Sequence, residues 1–172
     1  MQVIEITRAG LVGSLEAKVF RLLGEAFFDG AVVDYYARLG VPEIILILQD
    51  GETVAGHLAL YRREVGVAGR SVEIGMIGGV AVAPACRRRG HARTLVERAH
   101  AWLRDRSVRF SLLFAFVPRV YESSGYKLMR NPIRFQDHDG TWTTLVYRGG
   151  MYAELTDNRW PDQVVDLRGP IV

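Results

Sequence analysis

Polar and apolar positions alternate over Gln2–Thr7, which predicts a short first strand. Leu15, Val19, Phe20, Leu22, Leu23, Ala26 and Phe27 then recur at helical spacing behind Ser14, a candidate N-cap. Asp29-Gly30 breaks that helix, and Val33–Leu39 predicts a second, short one closed by Gly40 and Pro42. Ile44–Gln49 is an almost unbroken apolar run, the mark of a buried strand. Asp50-Gly51 is a hairpin turn, and Thr53–Val65 returns from it with Gly56 at a candidate bulge. Val72–Val82 predicts the third strand of this meander. Its Gly78-Gly79 pair marks a bulge or the close approach of another group.

Gly90–Arg104 predicts an amphipathic helix through Leu95, Val96, Ala99, Trp102 and Leu103. Val108–Phe116 is an apolar strand that a helical crossover makes the parallel neighbour of Val72–Val82. Pro118–Ser124 reads as a short helix ended by Gly125. Tyr126–Gln136 and Thr141–Arg148 read as a closing hairpin, and Val164–Leu167 as a last strand. This order predicts an α/β (α+β) domain over residues 1–172, with a mixed central sheet of about 6–7 strands and helices on both faces.

The chemistry concentrates between two of these elements. Strand Gly79-Val80-Ala81-Val82 ends at Pro84, and Cys86-Arg87-Arg88-Arg89 runs into Gly90, where the helix opens. The first amides of a helix have no intrahelical acceptor, and the macrodipole makes that end positive. Such a turn offers main-chain donors to a phosphate, with Arg87, Arg88, Arg89 and Arg93 adding forked cationic ones. It lacks the Lys-Ser/Thr ending of a P-loop and the triple glycine of a dinucleotide fingerprint. Taken by itself it reads equally as a solvated arginine turn before an ordinary helix.

Composition narrows the choice. The chain has 172 residues, 49% hydrophobic and 24% charged, as in an ordinary globular domain. No apolar run is long enough to span a bilayer, and no basic-then-apolar leader opens the sequence, so the expectation is a cytoplasmic protein without membrane contact. The lone Cys86 excludes an intramolecular disulfide framework. Net charge is +3, and apart from Lys18 and Lys127 every basic side chain except histidine is Arg. These bases are scattered among acids outside the turn, which suits one polyphosphate better than a nucleic-acid track.

Arg87-x-x-Gly90-x-Ala92 resembles the pyrophosphate-binding signature of the GNAT superfamily of N-acetyltransferases. A second stretch, Tyr121-Glu122-Ser123-Ser124-Gly125-Tyr126, resembles the Tyr-x-x-x-Gly-Phe/Tyr pattern of the same superfamily, in the right order and after the right strand. Within it the chain is most similar to aminoglycoside N-acetyltransferases and more distantly to nodulation acyltransferases. Ala55–Leu60 with Arg62-Arg63, the Gly79–Gly90 stretch and the Trp160–Gly169 tail carry this likeness. It departs from the aminoglycoside enzymes by ending Pro170-Ile171-Val172 where they have a Trp, and by Gly78 where they have a Glu; histone-type members have a Glu at the position of Met76.

The resemblance implies a GNAT fold in which Val72–Val82 and Val108–Phe116 splay apart, and acetyl-CoA as co-substrate with no metal. It implies that Arg87, Arg88, Arg89, Gly90, His91 and Ala92 cradle the pyrophosphate, that Val80, Ala81 and Val82 receive the pantetheine arm, and that the Val80 N–H steadies the thioester oxygen. Tyr121 would protonate the leaving thiolate and Glu73 would serve as base through water. The implied reaction moves an acetyl group to a primary amine of a small, aminoglycoside-like molecule by direct attack in a ternary complex. Asp29, Asp34 and Glu122 are further carboxylates for a cationic acceptor, and Phe27, Phe28, Tyr35 and Tyr36 candidate walls of its cleft. His57 reads as a hydrogen-bonded core histidine, His91 as exposed in the turn, His100 as lying on a helix face, and His138 as a turn residue beside Asp137 and Asp139. The tail from Tyr152 is read as a cleft wall or a homodimer contact. Two other classes stay open: a non-catalytic acyl-CoA sensor of the same fold, and a nucleic-acid binder using the Arg cluster.

Overall fold

The computed structural model describes residues 1–28, 30, 34–37 and 39–172. The chain forms two compact units, Met1–Tyr61 with Gly78–Ala99, and Arg62–Ile77 with His100–Val172. Two long strands, β3 and β4, and helix α2 run from one unit into the other.

In the first unit, β1 (Gln2–Ile6) pairs antiparallel with β2 (Ile44–Asp50), from Gln2↔Gln49 to Ile6↔Ile45. β2 pairs antiparallel with the first part of β3 (Thr53–Val67). Ile44 through Leu48 are all buried, as an apolar run without alternation demands. The β2–β3 register slips between Leu48↔Gly56 and Gln49↔Val54, so Ala55 is the extra residue of a bulge. Its carbonyl accepts from the amide of Ala83, at 2.9 Å, just past the end of β4 (Arg70–Val82). Helix α1 (Gly13–Phe27) buries Val19, Phe20, Leu22 and Leu23. Its N-cap is Val12 rather than Ser14, and no side chain among the described residues caps it. Helix α2 (His91–Arg104) sets Leu95 against Gly56, where a Cβ would lie 3.2 Å from the leucine Cδ1. The expected helix over Val33–Leu39 falls partly outside the described residues; Asp34–Ala37 and Leu39 form a turn, with the amides of Leu39 and Gly40 both donating to the Tyr36 carbonyl.

In the second unit, β5 (Phe110–Phe114) pairs parallel with β4 at Gly75↔Ser111, Met76↔Leu112 and Ile77↔Leu113. Among the described residues the last partners of that ladder are Ile77↔Leu113, and β4 itself runs on to Val82. Leu103 of α2 fills the space that the missing side chain of Gly75 leaves. After α3 (Arg119–Glu122) come four short strands: β6 (Lys127–Leu128), β7 (Ile133–Gln136), β8 (Trp142–Leu145) and β9 (Gly150–Glu154). β10 (Val165–Pro170) follows them. The expected closing hairpin is β7–β8, shorter than the apolar pattern implied. β6 joins β9 instead, and β9 lies antiparallel to β5 from Phe110↔Glu154 to Phe114↔Gly150. β10 is parallel to β7 and antiparallel to β3 at Val165↔Val67. The sheet is mixed, as expected, and has ten strands among the described residues because the last third of the chain breaks into short pieces.

Candidate active site

The first unit holds the arginine turn. Pro84–Cys86 is a single 3-10 turn, closed by Arg87 N–H donating to the Pro84 carbonyl at 3.3 Å. Arg88 and Gly90 both take left-handed backbone angles, with φ of 61° and 81°. A bulky chain at Gly90 would be strained by that angle alone, since the space around its Cβ position is open. Gly90 caps α2: its carbonyl accepts from Thr94 N–H at 3.0 Å and from Thr94 Oγ1 at 3.3 Å. The amides of His91, Ala92 and Arg93 are thus the first-turn donors without intrahelical acceptors. The Nε of Arg87 donates to the Val82 carbonyl at 3.0 Å, tying the turn back to β4. Among the described residues Arg87, Arg88 and Arg89 enter no ion pair, whereas Arg93 is held by Glu97 at 2.6 Å. Three exposed guanidiniums and a bare helix start form a donor set suited to a diphosphate. His91, expected in solvent, is half-buried, and its Nε2 is buried without a partner among the described residues.

Upstream of the turn, the backbone of β4 takes a left-handed angle at Gly79, whose φ is 60°. A Cβ there would stand 2.9 Å from the Tyr35 hydroxyl and 3.1 Å from His57 Cε1, so only glycine fits. The fully buried His57 is bound at both nitrogens: Nδ1 lies 2.6 Å from the Gly79 carbonyl oxygen and Nε2 lies 2.6 Å from the Tyr36 hydroxyl. A carbonyl only accepts, so Nδ1 carries the proton and the Tyr36 O–H donates to Nε2. Burial pulls the imidazole pKa down to about 4, partly countered by the Gly79 bond. Burial likewise raises the Tyr35 phenol to about 12 and the Tyr36 phenol further. Tyr35 meets Phe27, Phe28 and Tyr36 ring to ring, with Phe27 and Phe28 partly exposed. Asp34 accepts from the Tyr36 amide at 3.0 Å and lies 3.8 Å from Arg8, whose closer partner is Glu16 at 2.9 Å. Asp29 lies outside the described residues.

The second unit holds Tyr121 and Glu73. Tyr121 opens toward solvent on one side and stands edge-on to the ring of Tyr126, centroids 6.2 Å apart. Burial pushes its hydroxyl up to about 12. Tyr126 is itself buried, with its hydroxyl 2.5 Å from Ser111 Oγ and 3.1 Å from His100 Nε2. The sequence shows His100 only as a helix-face residue; in the structure it is 3% exposed and part of this polar knot. A serine inside an otherwise apolar strand was the available signal. Glu73 is exposed on β4 and pairs with Arg62 at 3.3 Å. Glu122 is exposed, Cys86 is a free thiol, and His138 sits in an exposed turn. Among the described residues no three His, Cys, Asp or Glu side chains cluster as metal ligands. Nor is any described helix long and apolar enough to cross a membrane.

A family model for the acetyltransferase (GNAT) domain matches residues 13–129. The chain belongs to the GNAT family. None of the curated proteins matches it. Among solved structures it is similar to a GNAT family N-acetyltransferase (YhbS) from Escherichia coli in complex with CoA, with TM-score 0.67 and 18% identity over 96% of this chain and 89% of that one. A GCN5-related N-acetyltransferase from Kribbella flavida gives 0.59 and 22% over 74% of this chain and 33% of that one. An aminoglycoside acetyltransferase from an uncultured soil metagenomic sample gives 0.53 and 24% over 66% and 78%. The chain spans about a third of the length of several proteins it matches. At these identities the likeness shows the fold alone.

Proposed function

We propose that residues 1–172 act as one acyl-CoA N-acyltransferase domain, moving the acetyl group of acetyl-CoA to a primary amine of a small molecule by direct attack in a ternary complex. The observation that carries this is the bare start of α2 behind Arg87, Arg88 and Arg89, none of which is ion-paired among the described residues. Family membership and the CoA-bound fold relative support it.

Acetyl-CoA supplies the activated acyl group. The chain's part is to hold it, polarise it and manage two protons. Amides of the turn and of His91 and Ala92 receive the diphosphate, with Arg87, Arg88 and Arg89 screening its charge. The β4 segment Val80-Ala81-Val82 pairs with the pantetheine amides as an added strand would. The Val80 N–H donates to the thioester oxygen as charge builds there. Tyr121 presents a protonated hydroxyl throughout the neutral range, because burial raises its pKa. Complete transfer to a thiolate whose acid has an ordinary pKa of about 8.5 is uphill, so the hydroxyl acts first as a hydrogen-bond donor to the departing sulfur. Glu73 takes the amine proton through water in this scheme. The acceptor is a cationic, aminoglycoside-like amine, in line with the aminoglycoside acetyltransferase among the fold relatives. The protein works in the cytoplasm in this reading, consistent with a single, free cysteine.

The test is thiol release from acetyl-CoA across a panel of amines that includes aminoglycosides, with Tyr121→Phe and Glu73→Gln run beside the wild type. Release that Tyr121→Phe lowers at least about tenfold supports the reading. Micromolar CoA binding without release from any amine favours a non-catalytic sensor. Binding to nucleic acid that CoA does not displace favours a nucleic-acid protein.

A further inference from the structure

The arginine turn, Tyr121 and Glu73 leave unused a buried constellation in the first unit: Tyr36, His57 and the Gly79 carbonyl. His57 is 0% exposed on a strand of apolar neighbours, and burying a polar ring there is unfavourable unless both nitrogens are satisfied. Both are, and the two bonds run in one direction: Tyr36 O–H to Nε2, then Nδ1–H to the Gly79 oxygen. That carbonyl belongs to the Gly79–Val80 peptide, so its partner across the bond is the Val80 N–H. No described peptide bond is cis, and in a trans peptide the C=O and N–H point in opposite directions. Whatever fixes the carbonyl on the His57 side fixes the Val80 N–H on the other. This matters because Gly79 has no side chain to restrict its backbone and sits at a left-handed angle rather than in extended strand geometry. Hydrogen-bonding the carbonyl also polarises the amide and strengthens its N–H as a donor.

We propose that His57 is a positioning residue of the acyl-transfer site: held by Tyr36, it locks the Gly79–Val80 peptide so that the Val80 N–H faces the thioester carbonyl. The inference rests on the acyl-transfer reading above. It also explains why an imidazole stands there. A phenyl ring of similar size has no donor for the carbonyl, and a lysine has no acceptor for Tyr36.

The experiment uses the full chain labelled with 15N. Long-range proton–nitrogen spectra report the His57 tautomer, and amide spectra report Val80. The structure requires a protonated Nδ1 and a bare Nε2. His57→Leu removes the grip, and the Val80 amide signal moves; His57→Asn, whose side-chain NH2 reaches the Nδ1 position, moves it back toward the wild type. Tyr36→Phe moves it in the same sense as His57→Leu and by less. In turnover assays His57→Leu lowers kcat by about 10-fold, short of the 10²–10³ that loss of a whole oxyanion donor costs, with the Kd for CoA unchanged within about twofold. His57→Asn recovers most of that loss. Should His57→Leu fail to fold, the tautomer with the His57→Asn and Tyr36→Phe spectra decides. A proton on Nε2, or a Val80 signal indifferent to these changes, overturns the proposal. So does a kcat loss that His57→Asn does not relieve. Failure of the wild type to release thiol with any amine overturns the acyl-transfer reading instead, and the spectra distinguish the two failures.

Discussion

The hydroxyl of Tyr126 lies 2.5 Å from Oγ of Ser111, joining the residue after Gly125 to the middle of β5. His100 completes the knot from α2 at 3.1 Å. Tyr126→Phe therefore removes one hydrogen bond from each of two buried polar side chains, Ser111 and His100. The expected cost is about 1–3 kcal/mol, read as a drop in Tm of roughly 3–10 °C by calorimetry or circular dichroism. A Tm within about 1 °C of the wild type would show that the knot contributes little.

Gly79→Ala combines an unfavourable backbone angle with a clash at the Tyr35 hydroxyl and a tight contact at His57 Cε1. Left-handed geometry alone costs a non-glycine residue about 1–2 kcal/mol, and the close contacts add to it. Gly90→Ala meets only the first penalty, because its surroundings are open. Urea unfolding of the two variants should thus rank Gly79→Ala as clearly the less stable. Equal losses would mean that Tyr35 and His57 give way.

Much of this is legible in the sequence because it depends on local pattern. The apolar run Ile44–Gln49 is β2, the hairpin turn follows it at Gly51-Glu52, one residue later than Asp50-Gly51, and the glycine pair in β4 marks the close approach of Tyr35 and His57 at Gly79. The strand β9 is hidden in the pattern because Gly150–Glu154 is short, begins with glycine and follows another, and gains its place only by pairing with β5, which is distant in sequence. The β7–β8 hairpin looks longer in the pattern than it is for the same reason: Lys127-Leu128 finds a partner in β9. Among candidate site residues, the arginine turn is visible as charge against glycine. The Tyr36–His57–Gly79 relay is not, since nothing in a linear pattern tells which carbonyl a buried histidine faces.

Low pH should reveal that relay. His57 has a pKa of about 4 in the fold, against about 6.5 in an unfolded chain. Between those values the unfolded state binds the extra proton, so stability is full above pH 6.5 and falls as pH drops toward 4. The loss from this residue is at most about 3 kcal/mol in order of magnitude. The groups around it, Tyr36 and Tyr35, stay protonated in this window because burial raises both, and Arg8 and Asp34 lie beyond Tyr36. Denaturation of wild type and His57→Asn at several pH values should show a steeper acid slope for the wild type. Parallel slopes would mean that the imidazole titrates normally.

The central claim is that the main-chain donors of the arginine turn hold the diphosphate of coenzyme A. Titration calorimetry with CoA measures it most directly. The expected result is binding with Kd well below about 1 mM, weakened roughly 5–50-fold in Arg87→Ala or Arg88→Ala and weakened as salt rises. Absence of heat from folded protein at millimolar CoA would contradict the account.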